Sequence, residues 1–264
     1  MSVAAFLSPR LLTYVRQVFA EEPELLVAST WDELDGFIRR KPVSVVILDP
    51  LADGIMNISA VAGLLTKYPS LPLVAYVALG AAAFNAVAQL SRLGLEDVVL
   101  HRFDDAPEKF RERVEKVQVN PLTRQVLAVL APSLAQMPLP VASAVGDMFA
   151  QPHRYTSALD LAVGAGVPIV RLYRNLQLAN LGPPKKLLIA ARLLRGYGYL
   201  RDPGYSVLDV SVKLGYRSTR IFAHHAVSVF GLTPSRVRNR LPEAEAIKTV
   251  LAWLRSTELD PVPI

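Results

Sequence analysis

Two short segments of the chain carry side chains that could form hydrogen bonds with the edges of nucleic-acid bases. Arg171, Arg174 and Arg220 have planar guanidinium groups, which can donate two hydrogen bonds at once to guanine. Asn175 has an amide that can pair in the same way with adenine. With their neighbours, these residues form the predicted contact set: Val170, Arg171, Arg174, Asn175, Ser218, Thr219, Arg220 and His224. Such side chains read a base sequence only if a rigid element holds them in a groove.

Residues 206–234 have the pattern of two helices joined by a tight turn. Ser206 can accept a hydrogen bond from a backbone amide of the first helical turn, and Gly215 can adopt the left-handed conformation that ends a helix. Between them, the residues of one helix face recur at helical spacing: Val207, Val210, Ser211 and Leu214. Ser218 can cap the second helix. The outward face of that helix comprises Thr219, Arg220, Ala223 and His224.

This segment resembles the signature of the AraC/XylS family of bacterial transcription regulators. The resemblance rests on Gly215-Tyr216 and Ser218 in the turn, on Phe222, and on the closing run GLTP at 231–234. It implies an all-α DNA-binding domain with two helix-turn-helix units joined by a long helix. The second helix of each unit would then enter a DNA major groove.

The same pattern occurs earlier in the chain, displaced by 49 residues. Residues 157–167 align with residues 206–216, and the matches include the cap, the following acid and the turn glycine: Ser157 with Ser206, Asp160 with Asp209 and Gly166 with Gly215. An internal repeat is a stronger signal than either copy alone. At the same offset Arg171 aligns with Arg220, so we expect these two arginines to be the main base-reading residues.

Residues 184–199, between the two units, have the pattern of a helix of about 15 residues, which would span about 22 Å. In the family such a helix sets the separation of the recognition helices. Its basic side chains are expected outside the apolar stripe and in solvent, with the first two also able to reach phosphates: Lys185, Lys186, Arg192 and Arg195.

The chain departs from the family pattern in its second recognition helix. Ala226 stands where the family usually has an aromatic residue, and Val227-Ser228 where it has basic ones. Phosphate contacts could instead come from the arginines after the second unit: Arg236, Arg238 and Arg240. Ala226, together with Gly164 in the first unit, motivates an alternative: a regulator acting by protein–protein contacts, with degenerate DNA-binding units.

Residues 1–118 alternate strand and helix patterns five times, which predicts a doubly wound α/β domain with a parallel sheet. The third strand, 43–48, is a near-continuous apolar run typical of a strand buried on both faces. We therefore predict an α/β domain at 1–118, the DNA-binding domain at 119–241, and a C-terminal helix and tail at 242–264. The last helix, 243–256, could cover the core or meet a partner subunit.

The five strand–helix units resemble the flavodoxin-like receiver domain of response regulators, with Asp49 in the position of the phosphoacceptor. Phe6-Leu7-Ser8 replaces the acidic residues that would hold Mg²⁺, and His101-Arg102 replaces the usual Lys-Pro. We therefore expect a degenerate receiver, in which Asp49 is a solvated or capping residue. The domain would be controlled by dimerisation, a partner or a ligand rather than by phosphorylation.

Charge and composition agree with a DNA-binding regulator. The net charge of +6 divides into −3 for residues 1–118 and +9 for residues 119–264, and a basic surface supplies sequence-independent DNA affinity. The absence of cysteine excludes disulfides and cysteine-bound zinc, and no common catalytic motif is present, so we expect no enzyme activity, cofactor or metal. The expected protein is cytoplasmic and homodimeric through its N-terminal domain, with double-stranded DNA and RNA polymerase as partners.

Overall fold

Strands and helices alternate through the first part of the chain in the computed structural model, which describes residues 2–20, 24–95, 97–117 and 121–255. The chain divides into two compact units. The first comprises Met1–Gln118 and Asp202–Tyr205, and the second comprises Val119–Arg201 and Ser206–Ile264. The predicted tail after residue 255 lies outside the described residues.

The first unit is a parallel five-stranded sheet in the order β2-β1-β3-β4-β5. Its elements are β1 (Ser2–Phe6), α1 (Pro9–Val18), β2 (Glu24–Val27), α2 (Trp31–Arg40), β3 (Val43–Leu48), α3 (Ile58–Lys67), β4 (Leu73–Val77), α4 (Ala81–Arg92), β5 (Val98–Leu100) and α5 (Pro107–Val117). Each adjacent pair of strands is parallel. The sequence prediction of an α/β unit built on a parallel sheet is confirmed.

The central strands of the sheet are largely apolar and are buried throughout. Every residue of β1, β3 and β4 is buried, as expected for strands that are covered on both faces. Local caps fix the helices between them. Thr30 accepts a hydrogen bond from the Glu33 amide at the start of α2, and Asn57 accepts one from the Ala60 amide at the start of α3.

The second unit is entirely helical in the described residues. Its elements are α6 (Pro121–Leu134), α7 (Leu139–Ala150), α8 (Ala158–Gly164), α9 (Ile169–Leu178), α10 (Pro184–Arg201), α11 (Val207–Lys213), α12 (Thr219–Phe230), α13 (Pro234–Arg240) and α14 (Glu243–Arg255). Helix α10 lies at the centre and packs against each of the other eight. The α/β unit is therefore accompanied by an all-α unit, as the sequence predicts.

Helix α10 is longer and more deeply buried than expected. It has 18 residues rather than about 15. Two of its basic side chains are buried instead of solvated: Lys186 is 2% exposed and Arg192 is 8% exposed. Lys186 is covered because α14 packs on α10, which brings the Trp253 ring to 4.5 Å from the Lys186 ammonium nitrogen. Arg192 bonds to the Tyr155 carbonyl oxygen and lies beside the turn at Gly215.

Helix α6 also extends beyond its expected end near residue 130. It runs to Leu134 and contains Pro132, which has no backbone N–H to donate. Pro132 lies on the exposed side of the helix, where the loss of this hydrogen bond is tolerated.

None of the described helices combines the length and the apolar character that a membrane span needs.

Candidate nucleic-acid interface

Helix pairs α8–α9 and α11–α12 begin with the same capping box. At the start of α8, the Asp160 amide donates to Ser157 Oγ (3.2 Å) and the Ser157 amide donates to Asp160 Oδ2 (3.0 Å). At the start of α11, the matching distances between Ser206 and Asp209 are 3.1 and 2.8 Å. Each box satisfies backbone donors that a helix start otherwise leaves without partners. The predicted Ser206 cap is confirmed.

The two pairs also turn in the same way. Gly166 and Gly215 have φ angles of 62° and 74°, in the left-handed region that favours glycine. In each pair, the amides of the glycine and of the next residue donate to carbonyl oxygens at the end of the preceding helix. In the first pair Gly166 donates to Val163 and Val167 donates to Ala162. In the second pair Gly215 donates to Val212 and Tyr216 donates to Ser211. The repeat found in the sequence is therefore a repeat of backbone structure up to this point.

Beyond the turn the offset changes from 49 to 50 residues. The N-caps of α9 and α12 are Pro168 and Ser218. The inward residues then match at the same offset of 50: Leu172 with Phe222, Leu176 with Ala226 and Ala179 with Val229. The second turn holds one more residue than the first. The predicted equivalence of Arg171 and Arg220 is consequently wrong, because Val170 is the counterpart of Arg220 and Arg174 that of His224.

The outward face of α9 is exposed and largely basic. Val170 is 77% exposed, and Arg171 and Arg174 are exposed as well. These residues line a shallow groove of about 550 Å³ together with Pro168, Asn175 and Leu178. All four predicted contact residues of this helix therefore line one groove, and three of them are exposed.

Asn175 differs from the prediction. It is half-buried, and its amide nitrogen Nδ2 is buried without a hydrogen-bond partner among the described residues. A bidentate contact with adenine needs that nitrogen as a donor. In this conformation the Asn175 amide does not present its nitrogen donor on the outer face of α9.

The outward face of α12 is formed by Arg220 and His224, one helical turn apart and both exposed. Ser218 has a capping role, since its hydroxyl accepts a hydrogen bond from the Ile221 amide (3.3 Å). Thr219 is half-buried. The structure thus brings Arg220 and His224 together as the most accessible polar groups of this helix and assigns Ser218 to the helix start.

The exposed arginines of both helix pairs form no ion pair within the part of the chain that the structure describes. Among the described residues, no carboxylate lies within 4.0 Å of the guanidinium nitrogens of Arg171, Arg174, Arg217 or Arg220. Their charge is therefore available to an anionic partner. A guanidinium fork suits phosphate and guanine better than the point charge of lysine.

The two small residues that suggested degenerate units both have packing explanations. Ala226 is completely buried, so its small side chain lies in the core and not on the outer face of α12. At Gly164, a Cβ atom would lie 3.0 Å from Cε1 of Tyr155, whose hydroxyl donates to Asp147 Oδ2 (2.6 Å). The glycine makes room for this ring against α8.

In the first unit, Asp49 is buried rather than solvated, with 5% exposure. The Leu51 amide donates to its Oδ1 (2.9 Å), which is the capping role that the sequence allowed. Burial raises the pKa of Asp49, hydrogen bonds from Leu51 and Ser8 lower it, and nearby Asp53 raises it further, with a net increase. With 5% exposure, the Asp49 carboxyl is poorly accessible to a phosphodonor.

Trp31 covers this edge of the sheet. Its ring packs edge-on against Phe6 at 4.6 Å between centroids, and its Nε1 donates to Asp53 Oδ2 (3.2 Å). Phe6 occupies the place where the receiver resemblance would put metal-binding acids. Phe6 therefore packs against an aromatic ring and offers no side-chain oxygen ligand for Mg²⁺.

The position of the receiver lysine carries a buried polar network, which the sequence did not predict. Both His101 Nδ1 (2.8 Å) and the Tyr76 hydroxyl (2.6 Å) bond to Asp105 Oδ2, and the Arg102 amide donates to Asp105 Oδ1 (2.8 Å). Burial alone would raise the pKa of Asp105, but these hydrogen bonds outweigh it and lower the pKa. The sequence held one indication of this network, Tyr76 in the apolar fourth strand. A buried tyrosine hydroxyl usually finds a hydrogen-bond partner.

Comparison with known proteins gives little further information. No family model matches the chain, and no curated protein matches it. Among solved structures, the chain is similar to one described as the low-resolution structure of the response regulator StyR. The identity is 14%, the TM-score is 0.34, and the match covers 86% of this chain and 98% of that one. A TM-score this low does not show a common fold.

Proposed function

We propose that the chain is a sequence-specific, double-stranded DNA-binding transcription regulator. Helices α9 and α12 would act as recognition helices in adjacent segments of the major groove. The proposal assigns no catalytic activity, cofactor or metal to the protein. It rests on the helical unit, and the α/β unit would control DNA binding.

The observation that carries the proposal is the construction of the two helix pairs. Each has the same capping box and the same left-handed glycine, and each presents exposed arginine on its second helix, Arg171 and Arg174 in α9 and Arg220 in α12. Two copies of one backbone motif with basic outer faces are the arrangement that a bipartite DNA reader needs.

Helix α10 supports this arrangement as a rigid spacer. Its 18 residues would span about 27 Å, and it is buried by all the helices around it. Successive major-groove faces on one side of B-DNA are about 34 Å apart. A buried spacer of this length would fix the separation of α9 and α12, so the two helices would bind as one body.

We further propose that control operates without phosphorylation. Asp49 is buried with a raised pKa, and His101 is engaged by Asp105 and Tyr76. Control would then come from homodimerisation through the α/β unit, from a ligand or from a protein partner, with RNA polymerase as the expected contact in transcription. Phe84 and Phe103, which are 76% and 68% exposed in this unit, are compatible with such contacts.

The test is selection of duplexes from a random-sequence pool with the full chain, followed by titration of the selected duplex and a shuffled control. We expect at least about a thousandfold preference for the selected duplex, which is the lower end for specific binders. Equal affinity for both duplexes would remove sequence specificity. No binding even at 50 mM salt would favour the alternative, a regulator that acts by protein contacts.

A further inference from the structure

The second helix pair contains an arginine that the first pair lacks. The turn after Gly166 leads to the Pro168 cap through one residue, whereas the turn after Gly215 leads to the Ser218 cap through two. The added residue makes room for Arg217, which is exposed and directly precedes the N-cap of α12. This is the one-residue difference that shifts the repeat offset from 49 to 50.

Arg217 lies at a cleft of about 380 Å³ inside the helical unit, hereafter the Arg192 cleft. The cleft is lined by Thr156, Arg192, Gly215, Tyr216, Arg217 and Ile221. These residues come from the segment before the first helix pair, from α10, and from the turn and start of the second recognition helix. The cleft therefore joins the two helix pairs at the side of the spacer helix.

Arg192 is the most buried of the residues that line this cleft. It is 8% exposed, and its Nη2 donates to the Tyr155 carbonyl oxygen at 3.3 Å. A guanidinium has five N–H donors, so this bond leaves most of them for another acceptor. Among the described residues, no carboxylate lies within 4.0 Å of the guanidinium nitrogens of Arg192 or Arg217. A buried arginine without an acidic partner is costly unless an anion compensates its charge.

Asp160, which is bonded to the lining residue Thr156, is already engaged. Asp160 Oδ2 accepts from the Thr156 hydroxyl (2.6 Å), the Thr156 amide (2.9 Å) and the Ser157 amide (3.0 Å). These hydrogen bonds, with those from Thr156 the strongest, lower the pKa of Asp160 and hold it in the α8 cap. The positive end of the 12-residue helix α12, which begins beside the cleft, adds to the attraction for an anion.

We propose that the Arg192 cleft binds a phosphate of the DNA backbone between the two segments read by α9 and α12. This inference rests on the proposed function. Arginine forks bind phosphate oxygens in pairs, and contacts to phosphates fix the register of a protein on its duplex. The buried Arg192 would act as the fixed half of the clamp and the exposed Arg217 as the mobile half. The clamp would tie both helix pairs to one strand through α10.

The test uses the full chain and a random-sequence 40-base-pair duplex, with affinity measured across salt concentrations. Arg217→Ala is the main variant because its side chain is exposed and its loss leaves the core intact. We expect the slope of log affinity against log salt to fall by about 0.9 for the lost phosphate contact. Arg192→Gln should give the same fall, with helical content checked by circular dichroism. Arg124→Ala, an exposed change in α6, is the matched control and should leave the slope unchanged.

A second measurement locates the contact on the duplex selected for specific binding. Neutral methylphosphonate is placed at one linkage after another in the region between the two recognition segments. We expect one linkage at which wild type loses affinity about tenfold while Arg217→Ala loses less than twofold, because the two changes remove the same interaction. Equal losses of affinity in both proteins at every linkage would overturn the clamp. So would a salt-dependence slope for Arg217→Ala equal to that for Arg124→Ala. Either result would leave the proposed DNA-binding function intact.

Two further outcomes identify other failures. A wild-type chain that binds no duplex at low salt overturns the proposed function and the clamp with it. Inorganic phosphate supplies the same chemistry from a different source. If it stabilises the DNA-free wild type but not Arg217→Ala, and both proteins bind DNA alike, the cleft serves a free phosphate and the DNA clamp is wrong.

Discussion

Leu172 and Phe222 are structurally equivalent residues of the second helix in the two helix pairs. They are 50 residues apart, whereas the first helices of the pairs begin 49 residues apart. Each side chain is completely buried. Each backbone amide donates to the carbonyl oxygen of the residue that caps its helix, at 3.1 Å from Leu172 to Pro168 and at 3.3 Å from Phe222 to Ser218. This relationship decides which outward residues correspond, and therefore which substitutions should have matching effects on DNA binding.

Arg220→Ala should weaken binding to the selected duplex far more than binding to random duplex. Arg220 is exposed on α12 without an acidic neighbour in the described part of the chain, so the change should not affect folding. A bidentate contact with guanine contributes about 1–3 kcal/mol of discrimination. Titration of both duplexes measures the difference. Equal losses on the two duplexes would mean that Arg220 contacts a phosphate instead.

Arg174→Ala should reduce specificity as Arg220→Ala does, while Arg171→Ala should have a smaller effect that is similar on all sequences. Arg174 corresponds to His224 on the reading face, whereas Arg171 corresponds to Ile221, which lies toward the side of α12. Binding-site selection with each variant is the measurement. If Arg171→Ala relaxed the sequence preference and Arg174→Ala left it unchanged, Arg171 and not Arg174 would be the base-reading residue. That result would support the 49-residue alignment of Arg171 with Arg220.

Gly196→Ala should stabilise the helical unit less than a Gly→Ala change at an open helix position, because overpacking at this site offsets the gain in helix propensity. A Cβ atom at this position would lie 2.7 Å from Leu214 Cδ1, because α11 packs closely on α10. Gly146→Ala in α7 is the control. No atom lies within 4 Å of a Cβ there, so the higher helix propensity of alanine should stabilise by about 0.5–1 kcal/mol. Urea unfolding followed by circular dichroism compares them, and equal stabilisation by both would contradict the close packing.

Local chemistry made much of this fold predictable from the sequence. The caps Thr30, Ser206 and Ser218 and the left-handed Gly215 follow from properties of single residues, and the strand 43–48 follows from its apolar run. The burial of Arg192 and Lys186 did not follow, because it depends on α14 and α11 packing around α10. The one-residue shift beyond the turn was hidden for a similar reason. Arg171 and Arg220 align by type, and only burial distinguishes the offset of 49 from that of 50.

Tyr76→Phe should destabilise the α/β unit at neutral pH by about 1.5–3 kcal/mol, the usual contribution of a hydrogen bond to a charged group. The Tyr76 hydroxyl donates to Asp105 Oδ2 at 2.6 Å in a buried site. The pKa of Asp105 is lowered in the folded protein, so its stabilising effect is present above the unfolded pKa and is lost as the pH falls through the lower folded pKa. The difference between wild type and variant should therefore shrink below about pH 4, where aspartate is normally protonated. A difference that does not change with pH would place the effect in packing.

Asp49→Asn should stabilise the α/β unit at neutral pH. Burial raises the pKa of Asp49 in the folded state, so the folded protein binds more protons than the unfolded chain between the two pKa values. Stability is then lost as the pH rises from about 4, the ordinary value, to the raised folded pKa, and asparagine removes this loss. Its Oδ1 can still accept the hydrogen bond from the Leu51 amide that Asp49 accepts now. Urea unfolding of both proteins at pH 4.5 and pH 7.5 should show an advantage of the variant that grows with pH.

The same aspartate provides the direct test of phosphorylation. Beryllofluoride with Mg²⁺ mimics a phosphorylated aspartate, and we expect it to change neither tryptophan fluorescence nor sedimentation of the wild type. Trp31 is a suitable reporter because its ring packs on Phe6 and bonds to Asp53 close to Asp49. Asp49→Asn serves as the control that cannot accept the group. A fluorescence or sedimentation response in wild type that is absent in Asp49→Asn would show that the buried carboxylate can open to Mg²⁺, and control without phosphorylation would then be wrong.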